Sequence, residues 1–515
     1  MQKNHRLRFS IIAAIASIAA GAWWAVGSGR PPGMDVEMVP RPPRISPDYA
    51  GIVLPPNVAP LNFAVREEGE RFFARISGEA GEPVEIVSRS RAIAIPPGHW
   101  RALLDCNRGR DLRWEVYAEL HGQWRRYHTL INRVAEDEID PYLVYRLIPP
   151  VFNTWNEVGI YQRSLATSKE SVVLDGKSLG SACVNCHAFS GNDPQRMLIA
   201  MRSDSLGKAT ILADEGRVAK LDTALGYTAW HPSGRMAAYS TNKVRQVFHT
   251  AGPEVRDVID LESSLAYVRI ASLESKQVPG ASDEGQLATY PAWSPDGRWL
   301  YYCRAPLLWT DRDAVPPERY AEVRYDLMRM AYDLETDQWG DPQTVLSSNE
   351  TGLSILLPRV SPDGRFLMFC MCGYGCFPAF QPTSDLYLMD LQKGTYEKPP
   401  INSEASESWH SWSSNSRWVA FSSKRGSGVF TRCYLSYIDE TGRAHKPLVV
   451  PQADPEFYES FVKTISVPEL LRGPVGVSPS ALRRAANSDD AVPVAAARGG
   501  RSQVDDSEPY RQAVP

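Results

Sequence analysis

A nine-residue pattern recurs four times in this chain of 515 residues, and such a recurrence limits the fold more than any other feature. Tyr227-Thr228-Ala229-Trp230-His231-Pro232-Ser233-Gly234-Arg235 is matched by Tyr290-Pro291-Ala292-Trp293-Ser294-Pro295-Asp296-Gly297-Arg298. Leu357-Pro358-Arg359-Val360-Ser361-Pro362-Asp363-Gly364-Arg365 is a third copy, and Trp409-His410-Ser411-Trp412-Ser413-Ser414-Asn415-Ser416-Arg417 a degraded fourth. Pro232, Pro295, Pro362 and Ser414 mark the register, at intervals of 63, 67 and 52 residues. An apolar run follows each copy, such as Trp299-Leu300-Tyr301-Tyr302 or Phe366-Leu367-Met368-Phe369. A short strand, a Ser-Pro-Asp-Gly turn and a second strand open a four-stranded propeller blade. Four blades close poorly into a ring. Residues 186–194 overlay the same template, with 197–201 and 209–213 as second and third strands, and a sixth blade can be assembled from 151–174 and 449–471. The fold expected is all-β: a propeller of six blades, with five as the alternative.

The flanks divide the rest of the chain. Lys3, His5, Arg6 and Arg8 precede an apolar run from Phe9 to Val26, the layout of a signal peptide or a single membrane anchor over residues 1–29. The run reaches the roughly 18–20 residues that span a bilayer, and Trp23 and Trp24 suit the outer interface. A small-x-small cleavage site is hard to find, which favours an uncleaved anchor; a soluble product of cleavage is the alternative. Residues 30–60 carry Pro31-Pro32, Pro42-Pro43 and Pro55-Pro56, a spacer with fixed φ and few donors. Within 61–150, Leu112 to Leu120 alternates apolar and polar residues, and His121-Gly122 is a turn before Trp124 to Leu130. That is the pattern of a small antiparallel β-domain, a sandwich. The propeller takes 151–475, and the Ala-, Arg-, Ser- and Asp-rich tail 476–515 has too little apolar content to fold.

Cys183-Val184-Asn185-Cys186-His187 carries the chemistry. CxxCH is the attachment signature of a c-type haem: two thiols form thioethers to the porphyrin vinyl groups, and the adjacent imidazole becomes an axial iron ligand. Average residue frequencies produce the pattern by chance in roughly one in several hundred chains of this length. One covalent haem c is therefore expected on Cys183 and Cys186, with His187 as proximal ligand, which requires export from the cytoplasm. A bland alternative is a buried or disulfide-bonded cysteine pair beside an unrelated histidine.

The repeat turns resemble those of the TolB-type β-propeller. The wider chain is similar to bacterial cell-envelope proteins that join an anchor, a β-domain, one CxxCH and a TolB-like propeller. Pro47-Asp48-Tyr49, Pro55 to Phe63, Trp155 to Arg163, the haem motif and Asp454-Pro455-Glu456-Phe457-Tyr458 carry this resemblance, over residues 46–475. It implies an architecture rather than a reaction.

A blade's first strand starts at the top face and the Ser-Pro-Asp-Gly turn lies at the bottom, so His187 on a first strand sets the haem at the top face or the channel mouth. The loop bearing His249, the stretch 370–376 and the long loop 304–324 map to the same face. His249, Met201 and, lower in its blade, Met197 are the candidates for the sixth iron position; the alternatives are ordinary packing or an open site. Cys303, Cys370, Cys372, Cys376 and Cys433 are disulfide candidates in an oxidising compartment, with a redox-active thiol pair or a metal as alternatives.

A net charge of −4 gives no case for nucleic acid as a partner. The expectation is an exported, membrane-anchored monohaem cytochrome, periplasmic or otherwise extracytoplasmic, exchanging electrons with a redox protein of the cell envelope. The absence of a recognisable nucleophile–base or paired-carboxylate motif favours electron transfer over catalysis. A haem-dependent enzyme at the propeller mouth, and a TolB-like scaffold for protein or polysaccharide with a structural or sensory haem, are the alternatives.

Overall fold

Residues 36–150, 158–203, 205–249, 256–311, 313–314 and 316–496 are described by a computed structural model. The apolar N-terminal segment expected to anchor the chain lies outside them. No helix among the described residues is long and apolar enough to cross a membrane. The chain falls into two compact units, one of residues 1–51, 60–134 and 452–459, the other of 52–59, 135–451 and 460–515.

In the smaller unit the period-two pattern becomes the strand Asp111–Leu120, which buries Leu112, Trp114, Val116 and Ala118. His121 and Gly122, with φ of 54° and 80°, turn it into Gln123–Arg126. Arg71–Ser77 pairs along Asp111–Leu120, as does Leu130–Val134 near its start. A second sheet joins Ile45–Ser46, Phe63–Val65 and Ala92–Ile93. The helix Pro97–Cys106 is an addition to the all-β expectation: Pro97 opens it, and Trp100, Leu103 and Leu104 fall on one buried stripe. Trp114 packs against Trp100 and Phe63, with ring centroids 6.1 and 5.4 Å away.

The larger unit is a propeller-like all-β assembly of six sheets, each built on four strands, in chain order in all but the first. The second sheet runs Cys183–Ser190, Asp193–Ser203, Gly207–Asp214 and Arg217–Leu221, so its second and third strands fall where the repeat places them. Gly226–Trp230, Gln286–Trp293, Ser354–Val360 and Glu407–Trp412 are the innermost strands of the third to sixth sheets. The first sheet is composite: Tyr142–Ile148, Gly159–Ser164 and Glu170–Asp175 receive the late strand Thr464–Leu471 as their innermost member. Each innermost strand neighbours the next, and Thr464–Leu471 lies against both Cys183–Ser190 and Glu407–Trp412, closing the ring. The repeat turns close as their sequences require, Gly297 N–H donating to the Ser294 carbonyl at 2.9 Å and Gly364 N–H to that of Ser361 at 2.8 Å. In the degraded copy Ser416, at φ 62°, takes the place of the glycine.

Two expected boundaries are corrected. The larger unit takes in 52–59 from the expected spacer, and its main run starts at residue 135 rather than 151, because Tyr142–Ile148 pairs with Thr464–Leu471 and Gly159–Ser164. The tail is ordered through residue 496: Ser478 caps the helix Pro479–Ala486 through the Ala481 N–H, and Ala495–Ala496 pairs with Glu274–Gln277. Composition concealed this because only Leu482 and Ala486 of the helix are buried, in the cluster of Ile160, Val173, Met197 and Ile211. Leu482→Ala is expected to cost about 2–3 kcal/mol in urea unfolding of the full chain. A change under about 0.5 kcal/mol would mean that the helix is unpacked.

Candidate functional site

Every innermost strand has the same kink. One residue in each has positive φ: Cys186 (52°), Tyr227 (39°), Tyr290 (55°), Leu357 (55°), Trp409 (45°) and Val467 (51°). Each strand's pairing slips at that point, so the kinked residue leaves the ladder as a bulge. The aromatic members meet across the centre of the ring: Tyr227 lies 4.5 Å from Tyr290 and 6.0 Å from Trp409 between ring centroids. Tyr290 OH donates to the Cys376 carbonyl at 2.7 Å. The second cysteine of the CxxCH motif thus holds the position that is tyrosine, leucine, tryptophan or valine in the other sheets.

The kink also decides where His187 points. Asn185 faces Ala200 but His187 faces Ile199, so the imidazole turns to the side of Val184 and Met201. There it meets the closing strand, with Nε2 3.8 Å from Glu469 Oε1; Phe189 N–H donates to Glu469 Oε2 at 3.1 Å. His187 is 4% exposed, and both ring nitrogens are buried without a well-formed hydrogen bond, the Val467 backbone acting weakly on the ring. A buried unsatisfied polar group costs about 1–3 kcal/mol. Burial, reinforced by the Arg146 charge, pushes His187 down to about 3, so the ring is neutral, the form that binds metal. Burial lifts the Glu469 carboxyl to about 7 against the pull of Arg359.

His410 provides an internal control. It follows the kink of the sixth sheet as His187 follows that of the second, and it too is 4% exposed. Its nitrogens are engaged, Nε2 at 3.0 Å from the Met368 carbonyl and Nδ1 at 3.9 Å from Cys370 Sγ. His231 is engaged likewise, Nδ1 accepting from Ser233 N–H at 3.1 Å and Nε2 lying 3.1 Å from the Gly297 carbonyl. The weakly engaged nitrogens of His187 are thus not a general property of buried histidines in this ring.

Cys183 and Cys186 are free, half-buried thiols. Burial raises the Cys186 thiol, with Arg146 opposing. Two free thiols and a neutral imidazole without a well-formed hydrogen bond are the donor set a covalent haem needs, and on that chemistry the residues fit the group. Met197 and Met201 pair opposite Phe189 and Val184, in the cluster on the His187 side of the sheet. His249 has its Nε2 3.9 Å from Asp257 Oδ2, an oxygen that also accepts from Tyr374 OH.

The expected disulfides are not formed: all eight cysteines are free. Cys372 Sγ donates to the Tyr374 carbonyl and Cys376 Sγ to that of Val258, each at 3.3 Å. Cys370 turns to His410, and Cys433 to the Tyr434 carbonyl at 3.9 Å. Burial raises these thiols and that of Cys303, Cys372 to about 12, which suits structural roles. Cys376 borders a cavity of about 10 Å³ with Asp257, Asp260, Tyr325 and Tyr374, room for one water.

Sequence reasoning missed Arg146, Ser466 and Glu469. Val467-Pro468-Glu469 repeats the apolar-Pro-x of Leu357-Pro358-Arg359, and aligning the two would have shown Glu469 one strand away from the motif.

No family model matches the chain, and no curated protein does. Among solved structures, one from the nidogen/laminin complex is 9% identical, with a TM-score of 0.39 over 64% of this chain and 99% of its own. A prolyl endopeptidase is 11% identical, with a TM-score of 0.34 over 73% of this chain and 42% of its own. An ancestral GH74 enzyme is 11% identical, with a TM-score of 0.36 over 79% of this chain and 47% of its own. The chain therefore spans less than half the length of the last two. The propeller-like arrangement is read from strand order, independently of these likenesses.

Burial holds His410 neutral, with its pKa down to about 3 from 6.5. The unfolded chain thus binds the extra proton between these values, and the stability His410 confers falls as pH falls through that window. From pH 6 to 4 the wild type is expected to lose about 1.4 kcal/mol per pH unit more than His410→Asn in urea unfolding. Parallel pH profiles would contradict a neutral, buried His410.

Proposed function

We propose that this chain is a monohaem c-type cytochrome that transfers single electrons, its haem held by Cys183, Cys186 and His187 on the innermost strand of a propeller's second blade. The observation that carries the reading is the pair of buried His187 nitrogens, without a well-formed hydrogen bond, beside two free thiols. When bound, a haem supplies an iron that cycles between ferric and ferrous states. Cys183 and Cys186 would fix the porphyrin to the strand, while the neutral His187 ring offers a lone pair without first losing a proton. Burial of that ring keeps water from competing with it.

The finer architecture belongs to the same proposal: a TolB-like propeller of six blades, a small β-sandwich-like domain, and an N-terminal anchor or signal that delivers the chain outside the cytoplasm. Its partner is then a redox protein of the cell envelope.

The test is to produce the full chain with and without the c-type maturation machinery. The expected outcome is a pyridine haemochrome spectrum and a mass increase of one haem, present only with the machinery. Cys183→Ala with Cys186→Ala abolishes both, and His187→Gly keeps the mass increase but changes the iron's optical spectrum. Unmodified thiols in mature wild-type protein would end this reading.

A further inference from the structure

Arg146 lies in Tyr142–Ile148, directly opposite Ser466 of the closing strand and one residue short of the kink at Val467. Glu469 of that strand touches His187. The guanidinium is therefore placed on the strand that pairs with the closing strand, near enough for its charge to act on Cys186 and His187. Arg146 is 9% exposed, and its Nε is buried without a partner. Among the described residues the side-chain hydrogen bond it makes is to a neutral group, Ser466 Oγ at 3.3 Å. Glu469 does not serve as its counter-ion: that carboxylate turns to Phe189 N–H and His187, and the cation that acts on it is Arg359. Among the described residues, no carboxylate forms an ion pair with Arg146. Elsewhere in the ring Arg425 lies 3.0 Å from the buried Glu407.

A guanidinium out of water without a counter-charge is unfavourable unless something else supplies the charge. We propose that Arg146 is the built-in counter-cation of the haem and a positioning residue for its redox equilibrium, favouring the ferrous over the ferric state. This rests on the haem reading of Cys183, Cys186 and His187. A porphyrin would bring two propionate carboxylates, a counter-charge that no described residue supplies to Arg146 by an ion pair. A fixed positive charge close to the iron also favours the state holding one electron more, the electron coming from the redox partner, and low-dielectric surroundings leave the effect poorly screened.

The experiment compares wild type, Arg146→Gln and Arg146→Lys as full-length holoprotein, with midpoint potentials from spectroelectrochemical titration. Arg146→Gln is expected to shift the reduction equilibrium about tenfold toward ferric, about 59 mV for a one-electron couple, and Arg146→Lys to restore most of it. An equal potential in Arg146→Gln, at wild-type haem content, overturns the proposal. The same substitution in a Cys183→Ala, Cys186→Ala background supplies a second readout. Without haem, Arg146→Gln should leave urea stability unchanged or raised, whereas with haem it should lower it. Equal destabilisation in both backgrounds marks a merely structural arginine and also overturns the proposal. A blank haemochrome assay on wild type removes the haem reading itself, and the role of Arg146 with it. Haem present without coupling removes only the role of Arg146.

Discussion

Ring closure is the constraint on which the site depends. The first sheet has no innermost strand of its own until Thr464–Leu471 pairs with Tyr142–Ile148, more than three hundred residues earlier in the chain. That pairing aligns Ser466 with Arg146 and sets Glu469 3.8 Å from the His187 ring. Without it the imidazole would border an open edge, hydrated and free to titrate. Closure of the fold and burial of the candidate ligand are thus one event.

The kink repeated in all six innermost strands serves a second purpose. Non-glycine residues cost roughly 1–2 kcal/mol in the left-handed region. Here the cost is offset by what the kink gains, side chains turned to the centre where Tyr227, Tyr290 and Trp409 pack on one another. In the second sheet the same device delivers a thiol to the centre and rotates the next residue to the opposite side of the strand. The geometry of the motif is inherited from the blade, with a cysteine placed on a position that already exists.

Around that position the charges are unusual for a protein interior. A neutral histidine, a carboxyl with its pKa raised to about 7, and two arginines lie near the innermost strands. Arg359 and Glu469 act on one another, and among the described residues no carboxylate forms an ion pair with Arg146. The Cys372 and Cys376 thiols are buried and bonded to the backbone carbonyls of Tyr374 and Val258.

Turn residues and alternation lie in consecutive positions, and so the sequence alone determined the repeat, the strands that follow each Ser-Pro-Asp-Gly turn, the hairpin at His121-Gly122 and the CxxCH motif. Local chemistry suffices for these, because glycine, proline and period two act within a few residues. The helix Pro479–Ala486 was hidden, since two buried apolar residues leave no compositional trace. Cysteine count suggested disulfides, yet pairing depends on where strands place each sulfur. Only the tertiary structure decided that the ring closes through Thr464–Leu471, that Cys186 sits on a kink shared by all six sheets, and that Arg146 and Glu469 flank His187. Those relations join residues hundreds of positions apart, and register between distant strands is set by closure of the whole ring, which no local window records.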